Sequence, residues 1–343
     1  MLRHHLTAVI CGFVLLGACS PAPLTAAPLP TLASSATPAP TPGPTRTPTP
    51  SPTPDPFRVY TIDYLRSRSY GGGQLEVVQT LDSYPAFTRY LIRYPSDGLK
   101  IYGFMDLPTG QGSFPVIIAL HGYIDPSVYQ TLDYTTRYAD ALARAGYLVI
   151  HPNLRGYAPS DDGENLFRVG MAIDVLNLIA IVKTEGGTSA PLQAADPGRI
   201  GMWGHSMGGG ITTRVLTVSR DVKAAVLYSP MSGDEAQNYA AIGAWSGGGR
   251  GQAERSVPAG ELQLISPMYY FDNIQAAVSL NHSTTDPLVP VQWSELTCGQ
   301  MQALGRNIEC HYYPDMPHAF QGQGDAQFMQ NTLQFFDRYL RAP

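Results

Sequence analysis

Three residues spread along the chain, Ser206, Asp286 and His318, have the types that acyl-transfer chemistry needs. A serine hydroxyl is a weak nucleophile at neutral pH. It needs a base to take its proton, and the base needs a carboxylate to orient it. Ser206 stands in "GMWGHSMGGG", with Gly204 and Gly208 two residues to either side. A five-residue G-x-S-x-G pattern is common by chance, so its setting decides its weight. Here "RIGMW" reads as a strand and "MGGGITTRVLTVS" as a helix. Between a strand and a helix the turn is sharp, and the serine on it is held in a strained conformation. The glycines let helix and strand pass close together, and the helix N-terminus directs its positive end at the site.

The partners follow in the order that this motif requires, serine, acid, histidine. Asp286 lies in "LNHSTTDPLVP" and His318 in "YYPDMPHAF", each in a loop after a predicted strand. Both therefore belong to the sheet edge that carries Ser206. His318 would take the Ser206 proton and later return it to the leaving group. Asp286 would fix the His318 tautomer and stabilise the imidazolium. Plainer roles compete: a turn serine, a capping or core histidine, and an aspartate that starts a turn before Pro287. Asp315 sits too close to His318 in sequence to serve as the acid. His205 reads as packed beside the nucleophile, and His121 as shaping a neighbouring loop. The oxyanion needs two backbone donors. Met207, just after the nucleophile, supplies one N–H, and Tyr123 in "VIIALHGY" supplies the other. Each such donor is worth about a hundred- to a thousandfold in rate.

The elements that must position these residues alternate along the chain. "QLEVVQT", "FTRYLIRY" and "LKIYGFMDL" read as early antiparallel strands. Residues 115–120, 147–152, 199–204, 223–230, 276–282 and 307–313 read as further strands. Most are continuous apolar runs, as expected when both faces are covered. Helical patterns occupy Tyr134–Ala145, Asn165–Lys183, Met207–Ser219, Val291–Leu304 and Gly324–Leu340. This alternation implies a mostly parallel sheet with right-handed crossovers. Residues 231–265, polar and glycine-rich, break it and read as a small cap or a plain surface insertion.

The N-terminus departs from this pattern. "MLRHH" is basic, "LTAVICGFVLLGA" is apolar and of export-signal length, and "LGAC" ends it at Cys19. The ending resembles the lipobox of bacterial lipoproteins, which implies a lipidated Cys19; an ordinary export signal is the alternative. Residues 20–56 are almost all Pro, Thr, Ala and Ser and cannot bury a core, so they read as an extended tether. The folded domain is expected over 57–343. In an exported chain Cys298 and Cys310 are either a disulfide or two buried thiols.

Of the 343 residues 44% are hydrophobic and 14% charged, ample for a core, and the net charge is −5. That balance gives no basic footprint for nucleic acid. No apolar run reaches the roughly 18–20 residues that span a bilayer. Asp161, Asp162 and Glu164 cluster in "SDDGEN" without a His or Cys at ligand spacing, and read as a solvated loop capping a helix at Asn165. "GGGRG" at 247–251 lacks the Lys-Ser/Thr of a phosphate loop. Neither a metal nor an organic cofactor is expected.

Taken together, "LHGY", "GYLVIHPNLRGYAPSD", "DPGRIGMWGHSMGG", "DPLVP" and "PHAF" resemble α/β-hydrolases, and most the catalytic domain of the prolyl oligopeptidase family. "YPSDGLKIYGFMDLP" is similar to the lead-in strands of that domain, and the resemblance runs over roughly residues 90–343. It implies an α/β-hydrolase fold, with helices on both faces of a mostly parallel central sheet and a small cap insertion. It also implies a serine hydrolase acting through an acyl-enzyme on a small peptide or ester substrate, with the triad on Ser206, Asp286 and His318. The chain departs from the family at "NHSTTD", where relatives often carry a glycine, and it shows no β-propeller before the domain. Carboxylester hydrolysis is therefore the alternative to peptide hydrolysis, and a non-catalytic surface binding module on the same scaffold is the alternative of another class. The expected location is the outer face of a bacterial membrane, held by the lipid on Cys19. Oligomeric state is not readable.

Overall fold

The computed structural model describes residues 55–341. The readings of the export segment, of Cys19 and of the tether lie outside the described residues, the last few tether residues apart. A short helix α1 (Ile62–Ser67) precedes nine strands that form one sheet. The strands are β1 (Glu76–Ser83), β2 (Phe87–Ser96), β3 (Leu99–Pro108), β4 (Phe114–Leu120), β5 (Leu148–Pro152), β6 (Ala195–His205), β7 (Val222–Tyr228), β8 (Ala277–Ser283) and β9 (Ile308–Tyr313). Their order is β1-β2-β3-β5-β4-β6-β7-β8-β9. The pairings β1–β2, β2–β3 and β3–β5 are antiparallel, and all others are parallel.

The two faces of the sheet are written into alternate residues, since successive side chains of a strand point to opposite sides. On β4, Val116, Ile118 and Leu120 join one core, while Ile117 and Ala119 join the other. The first core packs α3 (Val169–Glu185) and α4 (Met207–Val218) against the sheet. The second packs α2 (Thr136–Arg144) and α9 (Gly322–Phe336), with Trp203, Tyr228, Phe328 and Phe336 as its large buried rings. Both faces being covered explains why the central strands are apolar throughout rather than alternating.

Between β7 and β8 the expected cap segment forms three short helices, α5 (Glu235–Trp245), α6 (Gln252–Arg255) and α7 (Ala259–Ile265). Helix α8 (Val291–Ala303) then leads to β9, and a disulfide joins Cys298 on α8 to Cys310 on β9. Helix α3 begins at Val169, four residues later than the sequence pattern suggests, because Phe167 and Arg168 take left-handed backbone angles. Among the described residues no helix is long and apolar enough to cross a membrane.

Candidate active site

Ser206 occupies the turn between β6 and α4 with φ 55° and ψ −116°. A non-glycine residue there costs about 1–3 kcal/mol and persists only when its surroundings fix it. The Ser206 N–H donates to the Tyr228 carbonyl at 2.9 Å, and its own carbonyl accepts from the N–H groups of Gly210 and Met231. The flanking glycines are required by close approach. A Cβ on Gly204 would stand 2.4 Å from the Gly208 carbonyl oxygen, and one on Gly208 would stand 2.5 Å from that of Leu120.

The loop after β4 carries His121, Gly122 and Tyr123 to the same edge. A Cβ on Gly122 would lie 3.1 Å from Ser206 Cβ, so this loop runs directly against the serine. His121 is buried with Nδ1 2.7 Å from the Gly122 carbonyl and Nε2 3.0 Å from that of Asn153. Burial lowers its pKa, and the neutral ring donates to one of these two carbonyls. Among the described residues, neither the Tyr123 nor the Met207 N–H donates to a backbone carbonyl.

Asp286 lies in the loop after β8 and His318 in the loop after β9, and the two meet. His318 Nδ1 donates to Asp286 Oδ2 at 2.7 Å. Asp286 Oδ1 accepts the N–H groups of Leu288 at 2.8 Å and Val289 at 3.0 Å. A second histidine supports the acid. His282 Nε2 lies 3.0 Å from the Val289 carbonyl and 3.3 Å from Asp286 Oδ2, while its Nδ1 lies 2.6 Å from Ser294 Oγ. Nε2 lies beside two acceptors, the Val289 carbonyl and Asp286 Oδ2, whereas Nδ1 faces only a hydroxyl, so Nε2 donates and Nδ1 accepts from Ser294. Burial alone would raise the pKa of Asp286. The hydrogen bonds from His282, His318 and the Val289 amide outweigh it and hold the carboxyl well below the usual carboxylate range.

His205 locks the other side of His318. Its Nε2 donates to the His318 carbonyl at 3.0 Å, and its Nδ1 accepts from the Tyr134 hydroxyl at 2.5 Å. The ring stacks on Tyr228 and lies 4.6 Å from the His318 ring, centroid to centroid. Burial first, and nearby His318 second, pull its pKa down to about 3, so it stays neutral. No hydrogen bond joins the Ser206 hydroxyl to His318 among the described residues. Such bonds are often formed only once substrate is bound.

A cavity of about 770 Å³ opens beside this edge. Tyr123, Met207 and Met231 line its inner side, and Trp245 and Arg250 line it from the cap. The sequence reading selected Ser206, Asp286, His318, Tyr123 and Met207, and the fold brings them to one sheet edge. It missed His282, whose only signal is a histidine four residues before the acid, and Tyr134, which has no local signal. It gave the cap no internal structure. The acidic cluster lies in a loop as expected: Asp161 accepts from the Lys100 N–H, Asp162 from Gly163 and Glu164 from Leu166. No group of three or more His, Cys, Asp or Glu side chains among the described residues is arranged to hold a metal ion.

The family model of the alpha/beta hydrolase fold matches residues 115–296. The chain belongs to the alpha/beta hydrolase fold family. It is 22% identical over 253 residues to the uncharacterized peptidase YuxL of Bacillus subtilis strain 168, covering 71% of this chain and 38% of that protein. Its structure is similar to the acylaminoacyl peptidase of Pyrococcus horikoshii, with a TM-score of 0.61 at 23% identity, over 76% of this chain and 43% of that one. It is also similar to acetyl xylan esterase 1 of Thermoanaerobacterium sp. JW/SL YS485, with a TM-score of 0.59 at 18% identity, over 81% of this chain and 92% of that one. The chain therefore spans about two fifths of the length of these two peptidases, and its structural neighbours include both peptidases and esterases.

Proposed function

We propose that this alpha/beta hydrolase is a serine hydrolase that cleaves ester or peptide bonds through an acyl-enzyme on Ser206. The observation that carries the reading is the Asp286–His318 pair, bonded at 2.7 Å on the sheet edge where Ser206 sits on its strained turn. In the first half-reaction His318 Nε2 takes the Ser206 proton while Oγ bonds to the substrate carbonyl carbon. The N–H groups of Tyr123 and Met207 receive the oxyanion. His318 then gives the proton to the departing alcohol or amine, and the carbon–heteroatom bond breaks. In the second half-reaction water enters by the same steps, and the acid leaves with Ser206 restored.

The peptide reading rests on the resemblance to the prolyl oligopeptidase family and on the peptidase neighbours. The ester reading rests on the esterase neighbours, the acetyl xylan esterase among them. A labelled fluorophosphonate should modify the wild-type protein and not Ser206→Ala or His318→Ala. Absence of Ser206-dependent labelling would overturn the hydrolase reading in favour of a binding module. A panel of p-nitrophenyl acyl esters against aminoacyl p-nitroanilides then separates the two substrate classes.

We further propose that the enzyme is exported and held at the outer face of a bacterial membrane by a lipid on Cys19. The basic start, the apolar run and the "LGAC" ending support this. Labelled palmitate fed to expressing cells should appear in the wild-type protein and be lost in Cys19→Ala; an unlabelled wild type would rule the anchor out.

A further inference from the structure

The cavity beside the nucleophile is lined by three arginines, and they are not equivalent. Arg155 grips the buried Asp174, with Nη2 2.7 Å from Oδ1. Arg168 is paired with Glu235. Arg250 has no carboxylate partner among the described residues. Its guanidinium lies over the Tyr123 ring, 4.8 Å from the centroid, and donates to the Tyr123 hydroxyl. Tyr123 is the residue proposed above to supply one of the two oxyanion N–H groups. A cation is thus stationed one tyrosine side chain from the reacting carbonyl, with most of its hydrogen-bond donors still unused. With one N–H given to the Tyr123 hydroxyl, the rest of the guanidinium fork is available to a planar, two-oxygen anion.

The cavity also determines which part of a substrate meets this cation. The leaving group takes its proton from His318, so it must lie on the His318 side of Ser206. Tyr123 and Met207, the two residues of the proposed oxyanion site, line the cavity, while Ser206, Asp286 and His318 stand outside its lining, so the cavity opens from the oxyanion side and not from the His318 side. The acyl half is the part that enters. Two acidic side chains, Asp162 and Glu254, line the cavity as well, and Asp162 Oδ1 is engaged by the Gly163 N–H. They repel an anion elsewhere in the cavity and confine the attraction to Arg250. Asp125, close enough to Arg250 to feel its charge, is already bound by the N–H and hydroxyl of Ser127.

We propose that Arg250 is a specificity residue that binds a carboxylate at the far end of the acyl group, so that the preferred substrates are monoesters or amides of short dicarboxylic acids. The proposal rests on the serine hydrolase reading, and its test is a ratio that can be read only once that hydrolysis is established. The p-nitrophenyl monoesters of succinic and glutaric acid are compared with p-nitrophenyl butyrate and valerate, each pair matched in chain length. Wild type should favour the anionic member by about tenfold or more in kcat/KM, mainly through KM, as expected for one charge-assisted, forked contact. The ratio should fall towards one in Arg250→Ala, be partly kept in Arg250→Lys, and invert in Arg250→Glu when the acyl chain ends in an ammonium group. A wild-type ratio at or below one would overturn the proposal, and so would an unchanged ratio in Arg250→Ala. Loss of turnover on every ester, with no Ser206-dependent labelling, would strike the hydrolase reading instead. Arg250 is solvent-exposed, so its replacement is compatible with folding.

Discussion

Asp286 receives donors on both oxygens, and this settles what its replacement should do. One oxygen takes two backbone N–H groups and the other takes His318 Nδ1 and His282 Nε2. A carboxylate suits that site because it only accepts. In Asp286→Asn one oxygen becomes an NH2 group that faces donors on either side. The amide either clashes with the Leu288 and Val289 N–H groups or donates to His318 Nδ1. Donation would place the ring proton on Nε2, where the base must be free. Turnover of a good ester substrate should therefore fall about a thousand- to ten-thousandfold, with the folded state retained by circular dichroism. Near-normal kcat in Asp286→Asn would remove Asp286 from the acid role. Ser206, Asp286 and His318 were legible in the sequence because their loops follow strands in a fixed order. His282, Tyr134 and the neutral His205 were not legible as a supporting set. Each acts through a partner distant in sequence, and only the fold reveals the pairing.

At the level of elements, the cap is fastened by one side chain of the nucleophile helix. Arg214 on α4 donates to Glu235 Oε1 at 2.5 Å, where the cap begins, and to the Ile265 carbonyl at 2.7 Å, where it ends. Glu235 Oε2 accepts from Arg168 and, at 3.3 Å, from Asn238. Two guanidinium groups share one buried carboxylate, so Glu235 is the single negative charge that keeps both in place. Neutralising it in Glu235→Gln strands Arg214 in the interior and should cost about 3–5 kcal/mol in urea denaturation. Replacing both partners together, as Arg214→Met with Glu235→Leu, should cost clearly less, since it removes charge and counter-charge at once. A Glu235→Gln protein within 1 kcal/mol of wild type would show that the clamp carries little. This dependence also explains why the cap was unreadable. Residues 231–265 hold seven glycines and form three short helices, one of them a single turn. Their order comes from long-range contacts, the Arg214–Glu235 pair and the packing of Val257, Leu262 and Ile265 against Leu65 and Phe167, rather than from periodicity. The central parallel strands, by contrast, were legible because covered β-strands are continuous apolar runs with a turn at each end. Their spatial order was not, since β4 and β5 exchange places relative to the chain and no local signal encodes that.

Across the whole molecule, the polar groups buried around the sheet edge set the response to acid. His121, His151 and His205 are each buried, and burial is the first cause that lowers each pKa, to about 3 for His205. A histidine held neutral in the folded chain but free to ionise near pH 6.5 when unfolded makes the unfolded state the better proton binder below that pH. Stability then falls as pH falls, by about 1.4 kcal/mol per unit for each group. Two carboxyls act in the opposite direction. Burial pushes Asp106 up to about 6 against the pull of Arg89, and raises Asp174 against that of Arg155, so protonation in the folded state would add stability in acid. Three histidines against two carboxyls leave a net loss, which begins as the unfolded histidines take up protons around pH 6.5 and is partly offset by Asp106, which titrates over the same range. Asp286 adds to the loss only below its ordinary value of 3.8, because its folded-state pKa is depressed. Urea denaturation at pH 7.5, 6.5 and 5.5 should therefore give a falling free energy of unfolding, accompanied by proton uptake when unfolding is followed in a weakly buffered solution. Stability that is flat or rising from pH 7.5 to 5.5, or proton release on unfolding, would mean that the three histidines are not held neutral. The network of His205 with Tyr134 and the His318 loop would then need another protonation state.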